Sequence, residues 1–363
     1  MILIIAFAYF FLHILFLRGL RKSASTPATG NAYKPIVTVL VAARNEEQNI
    51  GACIKSLKSV SYEKELLEII LINDNSDDKT LDIMREETSG LSHFKILDTK
   101  DCREGTLRGK TRALDFGFSN TKGELVMMTD ADCTVRPDWI EETVKYYDDN
   151  TGMICGFTRI KHTRTLFTGL QSLDWIYLQA IAASGAGINS PLSCIGNNLS
   201  VSRKAYETAG GYSKLEYSIT EDLSLLRAVH KKNFTVKYPV DSKMTAETAA
   251  CASVRELYRQ KKRWFRGGSG ISLLGYFLGF LLYAMNVFLV SGFLFMDTAC
   301  YILVVLLKLV SELIIIIPLY RKLDFKNLMF FFPLFQLYFA AYGLLLPFTF
   351  LTGKSVHWKG RNA

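Results

Sequence analysis

Paired cysteines and metal-binding histidines are missing from this chain of 363 residues. The seven cysteines stand singly without a C-x-x-C pair, and the five histidines have no zinc-ligand or catalytic-triad spacing. These absences argue against a zinc domain and against a Ser-His-Asp hydrolase. An odd, dispersed set of cysteines also favours a reducing compartment over a disulfide framework. We therefore interpret Cys133, which follows Asp132, as a small buried apolar residue and not as a nucleophile.

Nucleic-acid-binding signatures are absent as well. The net charge is +9, but the basic residues concentrate at the borders between apolar and polar zones, at Arg18, Arg21 and Lys22 and again within 261–266. The sequence contains no RNA-module signature and no interleaving of basic with aromatic residues, so nucleic acid is not an expected partner. Basic clusters beside apolar segments suit the anionic face of a membrane.

Apolar segments lie near both ends of the chain. Residues 1–17 are uncharged, and the positive charges follow this run instead of preceding it, which favours an uncleaved anchor over a signal peptide. Three further spans are predicted at about 274–295, 299–320 and 328–351. The predicted organisation is an anchor at 1–22, a linker at 23–35, a cytoplasmic domain at 36–270 and a membrane region at 271–363.

The charged residues of the membrane region allow two interpretations each, one pair within a predicted span and one basic cluster in the tail. Lys308 and Glu312 are one helical turn apart within a predicted span, and a mutually neutralising pair that faces a neighbouring helix is favoured over a functional site. The basic tail would end outside if all spans crossed, against the positive-inside tendency, so a re-entrant last segment remains an alternative.

Between the apolar ends, strand and helix patterns alternate. Strands are predicted at 36–42, 66–72, 94–97 and 125–132, with helical patterns reaching 57 and covering 80–89 and 111–118. This alternation predicts an α/β fold with a mostly parallel, doubly wound sheet. Beyond it we expect a strand at 152–159, an amphipathic helix on the membrane surface at 166–188 and, at 196–203, a turn that leads into a helix. The polar clusters at the strand ends should gather along one edge, where such sheets bind ligands.

Two carboxylates close the fourth strand. With the period of two of a strand, Asp130 and Asp132 project to the same side. Their mutual repulsion needs a cation or hydrogen-bond donors, and Mg²⁺ typically takes one or two carboxylates together with substrate phosphates. A surface turn with two solvated aspartates fits the spacing equally well, so the other motifs must decide.

Two later motifs have structural as well as functional interpretations. Glu221 and Asp222 follow Thr220 at a predicted helix start, where a threonine cap and acidic residues are stabilising without any function. Gln260, Arg263 and Trp264 share one face if their segment is helical. A basic and aromatic collar at a membrane interface would show the same pattern.

Together these residues resemble a membrane-bound family 2 glycosyltransferase of the GT-A fold, a group that includes enzymes similar to cellulose, chitin and hyaluronan synthases and to ceramide glucosyltransferase. The resemblance covers roughly 36–266. It rests on five signals in the expected order, namely the first strand with Arg44-Asn45-Glu46, the cluster at Asp74, Asp130-Ala131-Asp132, Glu221-Asp222, and the Q-x-x-R-W signature in Gln260-Lys261-Lys262-Arg263-Trp264.

The resemblance implies a role for each matched position. Donor-binding positions are Ala43, Arg44, Glu46, Asp74, Lys110 and Asp130. The metal positions are Asp132 as principal ligand, with Asp130, for Mg²⁺ or Mn²⁺. Catalytic positions are Asp222, as general base, and Glu221. Positions near the acceptor or the diphosphate are Gly196, Asn197, Gln260, Arg263 and Trp264.

The implied reaction is inverting transfer of a sugar from a nucleoside diphosphate, commonly UDP, to a lipid, lipid-linked or glycan acceptor. The small number of spans favours single transfer to a lipid over processive polysaccharide synthesis, which is the alternative. The expected location is the cytoplasmic membrane of a bacterium, with the catalytic domain in the cytoplasm. Two other classes are a catalytically silent membrane scaffold and a sugar nucleotidyltransferase, the latter disfavoured because no Gly-rich loop follows the first strand.

Overall fold

The computed structural model describes residues 1–24, 34–102, 107–161, 165–215, 218–268, 270–323, 325, 328–350, 357–358 and 361–362. The chain divides into two compact units. The membrane unit comprises Met1–Ala24, His162–Ser193 and Ala250–Val356, and the sheet unit comprises Ser25–Lys161, Cys194–Ala249 and His357–Ala363. Most of the predicted linker lies outside the described residues. The predicted domain boundaries stay a prediction.

The described segments contain the following α-helices: α1 (Ile2–Ser23), α2 (Ile50–Lys58), α3 (Thr80–Thr88), α4 (Gly109–Ser119), α5 (Trp139–Val144), α6 (Leu166–Gly187), α7 (Arg203–Ala209), α8 (Glu221–Lys231), α9 (Val254–Gly267), α10 (Leu273–Ser291), α11 (Thr298–Lys322) and α12 (Phe332–Leu345). The strands are β1 (Val37–Ala43), β2 (Leu67–Asn73), β3 (Phe94–Asp98), β4 (Leu125–Asp130), β5 (Thr134–Val135), β6 (Thr151–Cys155), β7 (Thr158–Ile160), β8 (Asn198–Ser202), β9 (Thr235–Lys237), β10 (Ala246–Thr248), β11 (His357–Trp358) and β12 (Arg361–Asn362).

A seven-stranded sheet in the order β3-β2-β1-β4-β8-β6-β9 forms the centre of the sheet unit. The strands β3, β2, β1 and β4 pair in parallel, and β8 pairs antiparallel with both β4 and β6. The runs that form β1, β2 and β4 are almost continuously apolar because helices cover both faces of such a sheet. The predicted α/β fold with a mostly parallel sheet is confirmed.

The strand β8 differs from its sequence prediction. Residues 196–203 were predicted as a turn that leads into a helix, but Asn198–Ser202 forms a strand beside β4, and the helix α7 begins only at Arg203. Serine alternates with leucine and valine in this segment. Packing against the neighbouring strands decides whether such a sequence forms a strand. The predicted strand at 152–159 is two strands, because β6 joins the large sheet and β7 pairs with β10 in a small one.

Four helical segments of the membrane unit are long and apolar enough to cross a membrane. They are Ile2–Ser23, Leu273–Leu294, Thr298–Lys322 and Leu328–Thr349. Each agrees with a predicted span to within a few residues, which supports a membrane protein. The helix α6 was predicted as an amphipathic surface helix, but most of its side chains are buried inside this unit, where it packs against α1, α11 and α12.

Small residues let α1 and α6 cross with their backbones in contact. A Cβ atom added to Gly19 would overlap the carbonyl oxygen of Ser184, and one added to Gly187 would overlap the carbonyl oxygen of Gly19. Close crossings of this kind are a common source of packing energy between membrane helices.

A polar network fills the interior between the spans. Lys308 and Glu312 form a fully buried ion pair, Lys308 donates to Gln336 at 2.9 Å, and the Gln336 amide donates to Glu312 at 2.6 Å. Tyr9 of α1 donates to the same carboxylate at 3.0 Å. The predicted pair therefore neutralises itself and faces neighbouring helices, which satisfies each charge inside the apolar unit.

Candidate functional site

The parallel register places the ends of the central strands level with one another. Ala42 pairs with Asp130 and Ala43 pairs with Asn73, so β1, β4 and β2 end along one edge. The backbone N–H of Asp74 donates to the carbonyl of Ala43 at 2.8 Å. Polar residues from separate parts of the sequence therefore meet at this edge, as predicted for a doubly wound sheet.

The loop after β1 is held against the loop after β2. The guanidinium of Arg44 donates to the carbonyls of Asp74 and Asn75 at 2.9 and 2.8 Å. The backbone N–H of Glu46 donates to the Thr80 hydroxyl at 2.8 Å, and its carboxylate accepts from the Asn49 side chain at 2.8 Å. Arg44 and Glu46 thus shape the loops around the buried Asp74, whose carboxylate accepts from Thr99 at 3.4 Å.

The acidic pair has a different geometry from the one that the strand period predicts. Asp130 is the last residue of β4, whereas Asp132 lies in the following turn, which closes with a bond from Cys133 N–H to the Asp130 carbonyl at 3.0 Å. Burial, followed by the negative charge of Asp130, nevertheless raises the pKa of Asp132. Cys133 is fully buried, as predicted.

Lys110 connects this pair to the second acidic motif. Its ammonium lies 2.6 Å from Asp130 Oδ1 and 2.9 Å from Glu221 Oε1. Burial alone would lower the pKa of Lys110, but the two carboxylates raise it above its ordinary value. The partly buried ammonium of Lys110 therefore pairs with one carboxylate from β4 and one from α8. We call Asp130, Asp132, Glu221 and Asp222 the acidic cluster.

Asp222 has a strongly raised pKa within the acidic cluster. Burial, followed by the charge of Glu221, raises its pKa from an ordinary 3.8 to about 6, against the opposing effect of Lys110. The backbone N–H of Gly196 also donates to this carboxylate. Thr220 stands at the N-cap position of α8 as predicted, but its hydroxyl pairs with that of Ser218 at 3.2 Å and makes no capping bond.

Gly196 lies against the acidic cluster, whereas Asn197 has a different partner. A Cβ atom on Gly196 would lie 3.2 Å from Asp222 Oδ2, so a larger residue there would press on the carboxylate. The Asn197 side chain instead accepts a hydrogen bond from the Thr158 hydroxyl at 2.8 Å and is buried.

Gln260, Arg263 and Trp264 lie on the helix α9 of the membrane unit. The predicted helical spacing is confirmed, and the three residues share one face. The Trp264 ring packs edge to face on Trp175 with ring centroids 5.6 Å apart. Among the residues that the structure describes, the buried Gln260 Oε1 has no hydrogen-bond partner.

The acidic cluster fits a divalent cation that a ligand helps to bind. Within the described ranges, no group of three or more His, Cys, Asp or Glu residues is arranged to hold a metal ion by itself. Asp130 and Asp132 supply two carboxylates, and the raised pKa of Asp132 indicates a site that is short of positive charge. Mg²⁺-type sites commonly combine one or two carboxylates with substrate phosphates.

Sequence reasoning missed the residues that hold this edge together. The buried Asn198 amide accepts from the Trp139 indole at 2.9 Å and donates to the carbonyls of Phe157 and Met244 at 2.8 and 2.9 Å.

In the membrane unit, sequence reasoning also missed Asp174 of α6, which is fully buried. The available signal was that Asp174 is the single charged residue in the run 166–187.

Comparison with a solved structure defines the fold. A mannosyltransferase from Pyrobaculum calidifontis, solved in complex with GDP-Man and Mn²⁺, superposes with a TM-score of 0.60 at 16% identity and covers 96% of this chain and 99% of its own. The chain therefore has the GT-A fold of this mannosyltransferase.

Family models place the chain within that fold class. The model described as glycosyl transferase family 2 matches residues 38–209, and the model described as glycosyl transferase family group 2 matches residues 125–350. The chain belongs to glycosyl transferase family 2.

Two curated relatives are named for different activities. A beta-monoglucosyldiacylglycerol synthase of Nostoc sp. is 30% identical over 244 residues, which are 64% of this chain and 49% of the relative. A poly-beta-1,6-N-acetyl-D-glucosamine synthase of Staphylococcus aureus is 25% identical over 249 residues, which are 66% of this chain and 56% of the relative. The chain thus spans about half the length of the curated relatives that it matches.

Proposed function

We propose that the protein is an inverting, metal-dependent glycosyltransferase that moves a sugar from a nucleoside-diphosphate sugar to a lipid or lipid-linked acceptor at the cytoplasmic face of a membrane. The observation that carries this proposal is the connection from Asp130 through Lys110 to Glu221 and Asp222. It joins a phosphate-and-cation site to a carboxylate whose pKa of about 6 suits a general base near neutral pH.

The donor would bind at the edge formed by β1, β2 and β4. Asp74, enclosed by the backbone of Ala43 and Arg44, is the proposed contact for the nucleotide base, with Glu46 supporting the loop. Lys110 is proposed to turn from its carboxylates towards the diphosphate. UDP is proposed as the nucleotide from the resemblance to family members.

Asp130 and Asp132 are the residues that would hold a divalent ion. When bound, such an ion neutralises the charge that develops on the departing diphosphate. Gln260 and Arg263 are proposed to contact the same leaving group, since a guanidinium can donate two parallel hydrogen bonds to phosphate oxygens.

Asp222 would act on the acceptor. Its carboxylate takes the proton of the acceptor hydroxyl, the freed oxygen attacks the anomeric carbon, and the bond from that carbon to the diphosphate oxygen breaks. The nucleoside diphosphate leaves, and one displacement inverts the anomeric configuration. Glu221 keeps Lys110 near this carboxylate, Gly196 donates to it, and Trp264 offers an apolar ring face to a sugar or acceptor.

The acceptor is proposed to be a lipid because four membrane-length helices accompany a single catalytic sheet and because the relative from Nostoc is named for a diacylglycerol product. The relative from Staphylococcus aureus supports a second candidate, synthesis of a polysaccharide.

A donor screen with the membrane-embedded protein tests both candidates. Consumption of one nucleotide sugar with one sugar entering the lipid phase would support the lipid transferase, whereas products of increasing chain length would support the polymerase. Purified protein that releases no nucleoside diphosphate from any donor with Mg²⁺ or Mn²⁺ would contradict both and favour a silent scaffold. Pyrophosphate released from a sugar phosphate and a nucleoside triphosphate would indicate a nucleotidyltransferase.

A further inference from the structure

The helix α9 is attached to the membrane unit through a buried charge. Asp174 of α6 and Lys261 of α9 form an ion pair, and the exposed fractions of these residues are 0% and 4%. Two phenols of α12 complete the arrangement, because Tyr342 donates to Asp174 Oδ1 at 2.5 Å and Tyr338 donates to Oδ2 at 3.1 Å. One carboxylate thus joins three helices.

The ammonium of Lys261 has two aromatic neighbours as well. It lies 4.8 Å from the centroid of the Trp264 ring and 5.0 Å from that of Tyr342. A cation over an aromatic face is attracted by the ring quadrupole, more strongly when both are removed from water. The charge of Lys261 therefore acts on Trp264, a residue of the Q-x-x-R-W motif.

A second connection holds the segment that leads into α9, which begins at Val254 after its cap Ser253. The Gln171 side chain of α6 donates to the Cys251 carbonyl at 3.2 Å and accepts from the Cys251 N–H at 2.9 Å. Gln171 precedes Asp174 by three residues, so both side chains leave the same face of α6. With the segment that leads into α9 held at Cys251, the pair of Asp174 with Lys261 fixes the rotation of the helix about its own axis.

We propose that Lys261 and Asp174 are positioning residues that set the orientation of Gln260, Arg263 and Trp264. Lys261 lies inside the motif, but its charge is directed into the membrane unit and neutralised there. The catalytic consequence rests on the proposed function, whereas the effect on α9 does not.

Hydrogen exchange in the full-length protein in nanodiscs tests the proposal. Removing one member of a buried pair leaves the other charge uncompensated, which is strongly destabilising, whereas removing both is much less costly. We expect Asp174→Asn and Lys261→Met each to accelerate exchange in Val254–Gly267 by about tenfold or more, and the double variant to exchange no faster than the slower of the two. Exchange in Glu221–Lys231 of the sheet unit should not change.

Glu312→Gln is the matched control. It breaks the buried ion pair with Lys308 in the same unit, yet none of the contacts described for that pair involves α9. It should lower the thermal midpoint and leave exchange in Val254–Gly267 as in the wild type. Equal acceleration of α9 by this control, or additive effects in the double variant, would overturn the proposal, as would unchanged exchange in both single variants.

Steady-state kinetics supply the second measurement. Displacing positioned groups by about 1 Å can reduce a rate about 10²-fold, so we expect kcat to fall by about ten- to hundredfold in both single variants. The KM for the donor should change by less than about twofold, because Asp74, Lys110 and Asp130 are untouched and Arg263 is proposed to act on the charge that develops on the departing diphosphate. Wild-type kcat in Lys261→Met would contradict the proposal. A wild-type protein without transferase activity would contradict the proposed function while the exchange results remained decisive for the positioning.

Discussion

Replacing Asp222 by asparagine should change activity and stability in opposite directions. The side chain is partly buried, and its pKa lies at about 6 instead of 3.8, a difference of about 2.2 that corresponds to about 3 kcal/mol against the ionised form. Asparagine has nearly the same shape and can still accept the hydrogen bond from the Gly196 N–H. The substitution therefore removes the charge while it keeps the contact.

The sign of the stability effect follows from the two pKa values. Below an ordinary pKa of 3.8 the group is protonated in both the folded and unfolded protein, and its ionisation costs nothing. As the pH rises from about 4 to about 6, the unfolded chain ionises first, so the free energy of unfolding falls. Above about pH 6 the full cost of about 3 kcal/mol is present. Asp222→Asn should thus raise the thermal midpoint at pH 7.5 and have little effect at pH 4.

The same substitution should lower activity, in contrast to its effect on stability. A general base with a pKa of about 6 is about 9% ionised at pH 5 and about 91% ionised at pH 7, so kcat/KM of the wild type should fall about tenfold between those values. Asp222→Asn should lower kcat by about 10²- to 10⁴-fold at every pH, with the acid limb abolished. The assay is nucleoside diphosphate release across pH 5–8 in nanodiscs.

Asp115→Asn is a suitable control because burial also raises the pKa of Asp115, which accepts a hydrogen bond from Tyr206 at 3.2 Å. This variant should keep the acid limb at the wild-type position. Full activity in Asp222→Asn, or an acid limb shared by both variants, would refute the role of Asp222 as base.

Three further substitutions test other parts of the structure. Lys110→Met removes the ammonium between Asp130 and Glu221 and should lower the free energy of unfolding by about 3 kcal/mol at pH 7.5. The loss should be smaller at pH 5, where carboxylates begin to take up protons. Urea denaturation that follows the unfolding of the sheet unit measures both values. Asp132→Ala should weaken binding of Mn²⁺ in the presence of donor, followed by electron paramagnetic resonance, and wild-type affinity would remove it as a ligand. Gly19→Ala should lower the thermal midpoint, because the added Cβ atom would overlap the Ser184 carbonyl oxygen at a cost of about 1–3 kcal/mol. Gly279→Ala should not lower it, because a Cβ atom added there meets no neighbouring atom of the described residues within 4 Å.

The sequence identified the parts of the fold whose signals are local. Runs such as those of β1 and β4 are typical of strands buried on both faces, and four predominantly apolar segments of about 20 residues are long enough for membrane spans. The strand β8 was missed because its residues have no preference strong enough to outweigh a turn signal, and pairing with β4 decides its conformation.

In the candidate site, too, the residues with a local sequence signal could be predicted and the long-range contacts could not. Asp130 and Asp132 could be singled out because two acids end an apolar strand, but a solvated surface turn explained their spacing equally well, and only the other motifs favoured a site. The bridge from Lys110 to Glu221 could not be foreseen, because its two residues are 111 positions apart and belong to the different helices α4 and α8. Contacts of this kind depend on how the chain folds back, which neither propensity nor periodicity encodes.

The Q-x-x-R-W segment shows why a motif is not a list of residues with one purpose. A helix whose Gln260 and Arg263 are proposed to contact a phosphate also needs an attachment within the membrane unit that fixes its rotation. A buried ion pair can supply that attachment, because each charge must keep its partner. Lys261 meets Asp174 and two aromatic rings there, while Gln171 holds the residue that precedes the helix. Loss of Asp174 should therefore resemble, in its kinetics, a weakened Arg263→Lys variant, with a lower kcat and an unchanged donor KM. A raised donor KM with normal kcat in Asp174→Asn would instead assign this charge to donor binding.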